Sequence, residues 1–325
     1  MTHDGITRRG LLRTGAAVVG AAGLGGLRAV AAAQDAPPPA GQAKLLYGLN
    51  LLVYTATFSK DRTDLIRKVA DMGFDGVEIP FNDLSVLDVK ATRNARRDAG
   101  VGLTSCCVMM PGTNLCSEKA QEREAGVDRI KQMTDITVEM GGRVVAGPLY
   151  SPVRLLTGRA RTAEEWKWCA DGLAAAAAHA RKAGAILAVE PLNRFETYVF
   201  NTAADVARMA AEVNSPALKV QMDTFHGNIE EKDTAAAIRA TGKALGHFHA
   251  SESDRGVPGT GQVKWKEVFG ALKATGYRGY VTIESFAAGI LELCAAACVW
   301  RPLYESADGL ARQGLAFLKE MGRTA

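Results

Sequence analysis

The chain has 325 residues, and its formal net charge of +4 comes mainly from the N-terminal segment. Residues 1–33 hold four arginines and one aspartate, so the remaining 292 residues carry a formal charge of only +1. This near-neutral balance gives no indication of nucleic-acid binding. After residue 33 no apolar stretch is long enough to span a bilayer, so we do not expect an integral membrane protein.

The N-terminal segment has the features of an export signal. Arg8 and Arg9 precede a Gly/Ala/Leu stretch, and Ala31 and Ala33 form an A-x-A arrangement. This order is similar to a twin-arginine signal peptide over residues 1–33, followed by a linker over 34–43 and a location in the periplasm or outside the cell. A basic tail or a membrane anchor is the alternative, but the apolar stretch is short and Arg28 interrupts it.

The rest of the chain alternates between short apolar runs and segments with helical spacing. Several of the helical segments end in glycine, a common stop signal at a helix C-terminus. Eight runs are predicted to be strands: 45–51, 76–80, 101–110, 143–150, 185–192, 218–225, 244–251 and 280–285.

Eight strand and helix units in about 290 residues predict an α/β fold, a (β/α)₈ TIM barrel that forms one domain over residues 44–325. An open, doubly wound sheet is the alternative. That fold commonly carries a glycine-rich phosphate loop after its first strand, and the sequence has none there.

Polar side chains stand at the ends of the last four predicted strands. Glu190 ends the fifth strand, Asp223 the sixth, His249 the seventh and Glu284 the eighth. A buried carboxylate needs a partner or a cation, and the active sites of such barrels lie at the carboxyl ends of their strands. We therefore expect these four side chains to bind one metal ion, and we expect His247, one pleat deeper, to be structural.

The ligand set contains three carboxylates and one imidazole. Oxygen-rich sites favour Mn²⁺, Co²⁺ or Mg²⁺ over the thiolate and imidazole sites that are typical of zinc. Mn²⁺ is the expected ion, because a weakly binding metal is best loaded during folding before export. The six cysteines include no C-x-x-C motif, and most are interpreted as small core side chains.

Four segments in the second half of the chain carry a family resemblance: VEPLNRFETYVFNT, KVQMDTFHGNIEE, GHFHASESDRGVPGTGQVKWKEVFGALKATGYRGYVTIES and VWRPL. They resemble the D-tagatose 3-epimerase and D-psicose (D-allulose) 3-epimerase family of xylose-isomerase-like barrels. The resemblance implies that Glu190, Asp223, His249 and Glu284 are the metal ligands. It also implies that Glu196, His226 and Arg255 contact the sugar near its carbonyl end.

The resemblance implies a metal-dependent epimerase that interconverts free ketoses at C3 through a metal-stabilised enediolate. Glu190 and Glu284 would act as the acid and base on either side of C3. The same site would also serve an aldose–ketose isomerase of the hydroxypyruvate type, or a lyase or dehydratase acting on keto-sugars, keto-glycosides or inositols. A sugar-binding protein without catalysis is disfavoured because binding alone needs no acid/base pair.

Two further expectations concern partners. A single cation, Arg255, near the predicted site and the lack of a phosphate loop favour a free sugar over a sugar phosphate. The apolar segment 286–300 after the last strand is either core or a contact between subunits, so we expect a homo-oligomer. Endonuclease IV relatives share this barrel type, but they bind more metal ions with more histidines, and the five histidines of this chain, including His3 in the predicted signal, are too few.

Overall fold

The structure is a computed structural model that describes residues 45–287 and 289–325. The predicted signal peptide, 1–33, and the predicted linker, 34–43, lie outside the described residues. Eight parallel strands form a closed barrel in the order in which they occur along the chain. The first strand pairs with both the second and the eighth, which closes the sheet. The predicted (β/α)₈ barrel is confirmed.

The strands are short and the helices between them cover the outside of the barrel. The strands are β1 (Leu46–Asn50), β2 (Gly76–Phe81), β3 (Gly102–Cys107), β4 (Val144–Gly147), β5 (Ile186–Val189), β6 (Leu218–Asp223), β7 (Leu245–Ala250) and β8 (Tyr280–Ile283). The helices are α1 (Asp64–Asp71), α2 (Val89–Ala99), α3 (Ala120–Glu139), α4 (Ala163–Ala183), α5 (Ala203–Val213), α6 (Thr224–Glu230), α7 (Thr234–Thr241), α8 (Trp265–Thr275), α9 (Leu291–Ala297) and α10 (Ala307–Thr324). Short 3₁₀ turns occur at Leu51–Val53, Lys60–Arg62 and Gly242–Ala244.

Local sequence signals explain where the helices begin and end. Gly100, Gly184 and Gly276 end α2, α4 and α8 in the left-handed conformation, as the glycine stops predict. At the start of α4, Thr162 and Glu165 form a reciprocal capping box. None of the helices in the described part of the chain is long and apolar enough to cross a membrane.

The hydrophobic core lies between the strands and the surrounding helices. Strand β2 is buried along its whole length, and β5 (ILAV) is an apolar run that is buried apart from its first residue, as expected for strands covered on both faces. Four of the six cysteines, Cys106, Cys107, Cys116 and Cys169, are buried as free thiols, in agreement with their interpretation as core side chains.

The fourth strand is shorter than the sequence predicts because of Gly147. This residue has a φ of 124°, which ends the extended conformation, and its carbonyl oxygen accepts a 3.0 Å hydrogen bond from the backbone N–H of Glu190. A Cβ atom at Gly147 would overlap the carbonyl oxygen of Cys107 on β3. The backbone at the end of β4 therefore requires glycine.

We expect Gly147→Ala to lower the free energy of unfolding by about 2–4 kcal/mol, because it combines a disfavoured φ with overpacking. Gly270→Ala is the control: this glycine lies within α8, no heavy atom lies within contact distance of the added Cβ, and the change is expected to stabilise by about 0.5–1 kcal/mol. Urea unfolding with an unchanged m-value measures both. Equal stability of wild type and Gly147→Ala would contradict the prediction.

Candidate active site

The four side chains expected to bind a metal all lie at the carboxyl-terminal rim of the barrel. Glu190 directly follows β5, Asp223 is the last residue of β6, His249 is the penultimate residue of β7, and Glu284 directly follows β8. All four are buried. The rim of a parallel barrel brings together residues that are far apart in sequence, and here it does so for four consecutive strands.

The Nδ1 atom of His249 lies at the centre of this group. It is 3.3 Å from Glu284 Oε1, 3.7 Å from Asp223 Oδ2 and 3.9 Å from Glu190 Oε1. Ligand atoms of Asp223, His249 and Glu284 are close enough to share one ion, and ligand atoms of Glu190 and Asp223 are equally close to each other. The four residues therefore surround one common point.

The electrostatics of the group fit a bound cation. Burial raises the pKa of Glu190 well above its ordinary range; the charges of Glu284 and Asp223 act in the same direction, and His249 opposes them. Within the described part of the chain, Glu190 Oε1 is buried without a hydrogen-bond partner. A divalent cation would offset the repulsion between the neighbouring carboxylates and would give the unpaired oxygen of Glu190 a partner. The donor set is that of a divalent-metal site.

A further carboxylate, Glu78 in the middle of β2, lies beneath the rim. Its Oε1 is 2.6 Å from His249 Nε2, and its Oε2 is 2.6 Å from His247 Nε2. Asn50 and Thr104 donate further hydrogen bonds to it, at 3.0 and 2.8 Å. Burial alone would raise the pKa of Glu78, but the two histidines outweigh burial and hold it far below its ordinary range.

Glu78 determines how His249 faces the rim. Because the ionised carboxylate accepts the Nε2–H of His249, the Nδ1 atom is directed at the three rim carboxylates. Metal-binding histidines commonly donate their second N–H to a carboxylate in this way. Glu78 was not among the residues predicted from sequence, although a charged residue inside the buried run GVEIP is a signal for it. His247 bonds to Glu78 in the layer below the rim.

The three side chains expected to contact a sugar also reach the rim. Arg255 Nη1 donates to Asp223 Oδ2 at 2.9 Å and to Glu284 Oε2 at 2.7 Å. His226 lies beside it, with Nε2 at 3.2 Å from Arg255 Nη2. Burial lowers the pKa of His226, which favours the neutral ring. Its Nδ1 accepts the backbone N–H of Asn193 at 3.0 Å.

Glu196 stands on the other side of Asn193. The Asn193 side chain donates to Glu196 Oε1 at 3.0 Å and lies 3.0 Å from His226 Nδ1. The loop after β5 and the start of α6 are thereby linked through one amide. The structure brings Glu196, His226 and Arg255 together beside the four rim residues.

Arg255 is held by a loop that folds around the buried carboxylate of Glu252. Arg255 has a φ of 65°, and its backbone N–H donates to the carbonyl of Glu252 at 2.9 Å. The Glu252 carboxylate accepts from Ser253 N and Val263 N at 2.9 and 3.1 Å, and from Gly259 N and Trp265 Nε1 at 2.8 and 2.9 Å. Glu252 thus joins both ends of the loop that carries Arg255.

We expect Glu252→Gln to lower the free energy of unfolding at pH 7 by about 2–4 kcal/mol, because the amide nitrogen leaves two buried N–H donors unpaired. Burial alone would raise the pKa of Glu252, but its N–H donors outweigh burial and lower it. A carboxylate with a lowered folded-state pKa stabilises above its unfolded pKa of about 4.3, and this stability is lost as the pH falls.

The stability difference between wild type and Glu252→Gln should therefore narrow below about pH 4. Chemical unfolding at several pH values measures this difference. Glu124→Gln, at an exposed position of α3 beyond its first turn, is the control and should change stability by less than about 0.5 kcal/mol. If the difference in free energy of unfolding between wild type and Glu252→Gln stays constant down to pH 3, the charge of Glu252 is not the source of the stabilisation.

The rim residues open into a cavity of about 420 Å³. Its polar lining includes Glu190, Glu284, Glu196, His226 and Arg255. Most of the remaining lining is apolar and comes from the segments after β1, β3 and β4 and from α9. Its side chains include Leu52, Val108, Met109, Met110, Pro111, Pro152, Val153, Leu293 and Ala296.

A barrel whose last four strands deliver three carboxylates and a histidine to one rim defines a class of metal-site TIM barrels. The chain matches the family model of the xylose isomerase-like TIM barrel over residues 66–321, and it belongs to this family. It is 35% identical to the D-psicose 3-epimerase of Agrobacterium fabrum, across 78% of this chain and 90% of that protein.

Another relative and a solved structure similar to this chain are also sugar 3-epimerases by name. The chain is 32% identical to the L-ribulose 3-epimerase of a Methylomonas species, across 85% of this chain and 98% of that protein. The crystal structure of D-allulose 3-epimerase from Methylomonas, in complex with D-allulose, superimposes with a TM-score of 0.82 at 30% identity, covering 86% of this chain and 97% of that one. The protein is an enzyme of the isomerase class, an epimerase.

Proposed function

We propose that the protein is a divalent-metal-dependent ketose 3-epimerase that acts on free ketoses. The observation that carries this proposal is the position of Glu190 and Glu284. They follow the non-adjacent strands β5 and β8, lie 3.9 and 3.3 Å from His249 Nδ1, and both line the same cavity. An epimerase that inverts a carbon beside a carbonyl needs two acid/base groups on opposite faces of that carbon. The names of the relatives support C3 as that carbon.

In the proposed reaction one glutamate takes the proton from C3, and the electron pair of the broken C–H bond moves toward the C2 carbonyl. The other glutamate returns a proton to C3 from the opposite face. The bonds and charges of the ketose are restored, and only the configuration at C3 changes. Which glutamate acts first depends on the C3 configuration of the substrate.

The remaining polar side chains position the sugar. Arg255 presents a buried positive charge between Asp223 and Glu284, close to where negative charge develops on the substrate. His226 and Glu196 provide hydrogen-bonding groups at the same end of the cavity. Bound to Glu190, Asp223, His249 and Glu284, a divalent ion would supply Lewis-acid polarisation of the carbonyl. We propose Mn²⁺, because three of the four ligands are carboxylates.

We also propose that the enzyme is exported through the twin-arginine pathway and assembles as a homo-oligomer. The first rests on Arg8, Arg9 and the apolar stretch behind them, and the second on the exposed side chain of Leu291 in segment 286–300. Replacing both arginines with lysine should retain the protein in the cytoplasm, as cell fractionation measures. Light scattering of the purified enzyme measures the oligomeric state.

Proton NMR in D₂O tests the proposed reaction. The Mn²⁺-loaded enzyme is first incubated with D-fructose, D-psicose, D-tagatose or L-ribulose and then freed of the paramagnetic ion. Deuterium at C3 together with the C3 epimer is the expected result. Deuterium at C1 with aldose formation would instead identify an aldose–ketose isomerase, and loss of a hydroxyl would identify a lyase. Either result would overturn the proposal.

A further inference from the structure

A second cavity adjoins the active-site cavity. It has a volume of about 520 Å³, compared with about 420 Å³ for the active-site cavity. The two cavities are adjacent, because four residues line both of them: Arg154, Glu196, Arg255 and Ala297. We call the second cavity the outer chamber and define it by Phe195, Asp254, Trp300 and Arg301 together with these four residues. The proposed reaction on a free ketose does not use it.

The outer chamber combines exposed aromatic rings with hydrogen-bonding groups. Phe195 is 68% exposed and Trp300 is 74% exposed, which is unusual for such large apolar side chains outside a binding surface. Asp254 and Arg301 form an ion pair at 3.2 Å that is open to solvent. A flat apolar face bordered by donors and acceptors matches a sugar ring, which presents C–H groups on its faces and hydroxyls around its edge.

Arg154 forms the boundary between the two cavities, and its backbone is strained. It has a φ of 66°, a conformation that costs a non-glycine residue about 1 kcal/mol or more and that recurs at functional sites. Its N–H donates to the carbonyl of Glu196 at 2.7 Å, and Nη1 donates to the carbonyl of Ala295 at 3.0 Å. Arg154 thereby fixes the loop after β4 to the loop after β5 and to α9, beside both cavities.

We propose that the outer chamber binds a glycosyl unit attached to the ketose, so that the substrate class includes ketoses glycosylated at O1. This inference rests on the proposed function. Glu196 and Arg255 line both cavities. The proposed function places Arg255 beside the charge that develops at the C2 carbonyl, so the glycosidic bond leaves from O1, on the carbon next to C2, and not from the distal O6.

Two isomeric disaccharides test the position of the linkage. The value of kcat/KM for C3 epimerisation is measured for D-fructose, 1-O-α-glucosyl-fructose and 6-O-α-glucosyl-fructose. We expect kcat/KM to be about ten-fold or more higher for the 1-O isomer than for the 6-O isomer. Only the 1-O isomer can place its glucosyl unit in the outer chamber, and one well-packed sugar contact has an effect of this size. Equal values for the two isomers, or a preference for 6-O, would overturn the proposal.

Trp300→Ala tests the chamber itself. We expect it to lower kcat/KM for the 1-O isomer by about ten-fold and to change kcat/KM for D-fructose by less than about two-fold. In the proposed complex the indole ring of Trp300 contacts only the added glucosyl unit. Trp300→Phe should recover most of the loss. Leu291→Ala is the matched control: Leu291 is 80% exposed and lines neither cavity. An equal effect of Trp300→Ala on both substrates, or a change in its oligomeric state by light scattering, would contradict the inference.

Calorimetric binding of 1-O-α-glucosyl-mannitol separates this inference from the proposed function. This analogue has no carbonyl group and cannot react. If it binds to wild type and not to Trp300→Ala while no ketose is epimerised, the outer chamber is supported and the proposed reaction is wrong. If D-fructose is epimerised and Trp300→Ala binds the analogue as well as wild type does, the reaction stands and the outer chamber is wrong.

Discussion

Glu190→Gln and Glu284→Gln are each expected to lower kcat by about 10²–10⁴-fold or more, because each change removes one of the two proposed acid/base groups. Both side chains line the cavity and both face His249 Nδ1, so neither can replace the other on the opposite face of the substrate carbon. Deuterium incorporation at C3 in D₂O should fall with epimer formation in both variants. Initial rates with saturating D-psicose measure the loss.

The variant Asp223→Asn tests whether the effect of losing a metal ligand can be distinguished from the effect of losing a proton-transfer group. Asp223 belongs to the same ligand group but is not proposed to transfer protons, so excess Mn²⁺ should restore much of the activity of Asp223→Asn and little of that of the two glutamate variants. Glu139→Gln, an exposed change at the end of α3, should leave kcat unchanged. Recovery of a glutamate variant by excess metal would show that its side chain only binds the ion.

The rim of the barrel could be predicted from sequence because its residues stand at positions that local pattern identifies. Glu190 follows a run of apolar residues and precedes a proline, and each of the other three predicted ligands lies at or next to a strand end. In a closed parallel barrel all such ends meet at one rim. The alternation of strands and helices was therefore enough to predict that these residues are close together.

Glu78 could not be predicted in the same way. Its role depends on which strands face each other across the barrel, because β2 and β7 are not neighbours in the sheet. The alternation and composition of a strand predict which of its side chains face the barrel interior. They do not predict at which level along the barrel axis side chains from opposite strands meet. The same limit applies to Asn50, which bridges Glu78 and Glu284 at 3.0 and 3.1 Å.

Segment 286–300 shows where apolar composition alone is ambiguous. It was expected to be core or a contact between subunits, and its side chains differ: Leu293 is buried against the cavity, whereas Leu291 and Trp300 are exposed. The helix α9 within it has only seven residues, too few for periodicity to separate the two faces. Tertiary position, and not local pattern, decides which of these side chains meet a ligand.

Glu78→Gln is expected to weaken Mn²⁺ binding by about 10–100-fold, the usual effect of changing a carboxylate that supports a metal-binding histidine. Glutamine has one acceptor oxygen and no charge, so it cannot hold the Nε2–H groups of both His247 and His249 as the carboxylate does. A weaker bond at Nε2 makes Nδ1 of His249 a poorer ligand and leaves its ring less fixed. Calorimetric titration of chelator-treated protein with Mn²⁺ measures the change.

Thr104→Val provides the control for this prediction. Thr104 donates a 2.8 Å hydrogen bond to Glu78 Oε2, whereas His249 bonds to Oε1, so the valine variant keeps the charge and the bond to His249. Its Mn²⁺ affinity should stay within a few-fold of wild type, although it loses about 1 kcal/mol of stability. If Glu78→Gln binds Mn²⁺ as tightly as Thr104→Val does, the carboxylate beneath the rim supports only the fold. A selective loss in Glu78→Gln would show that the metal site extends one layer into the barrel.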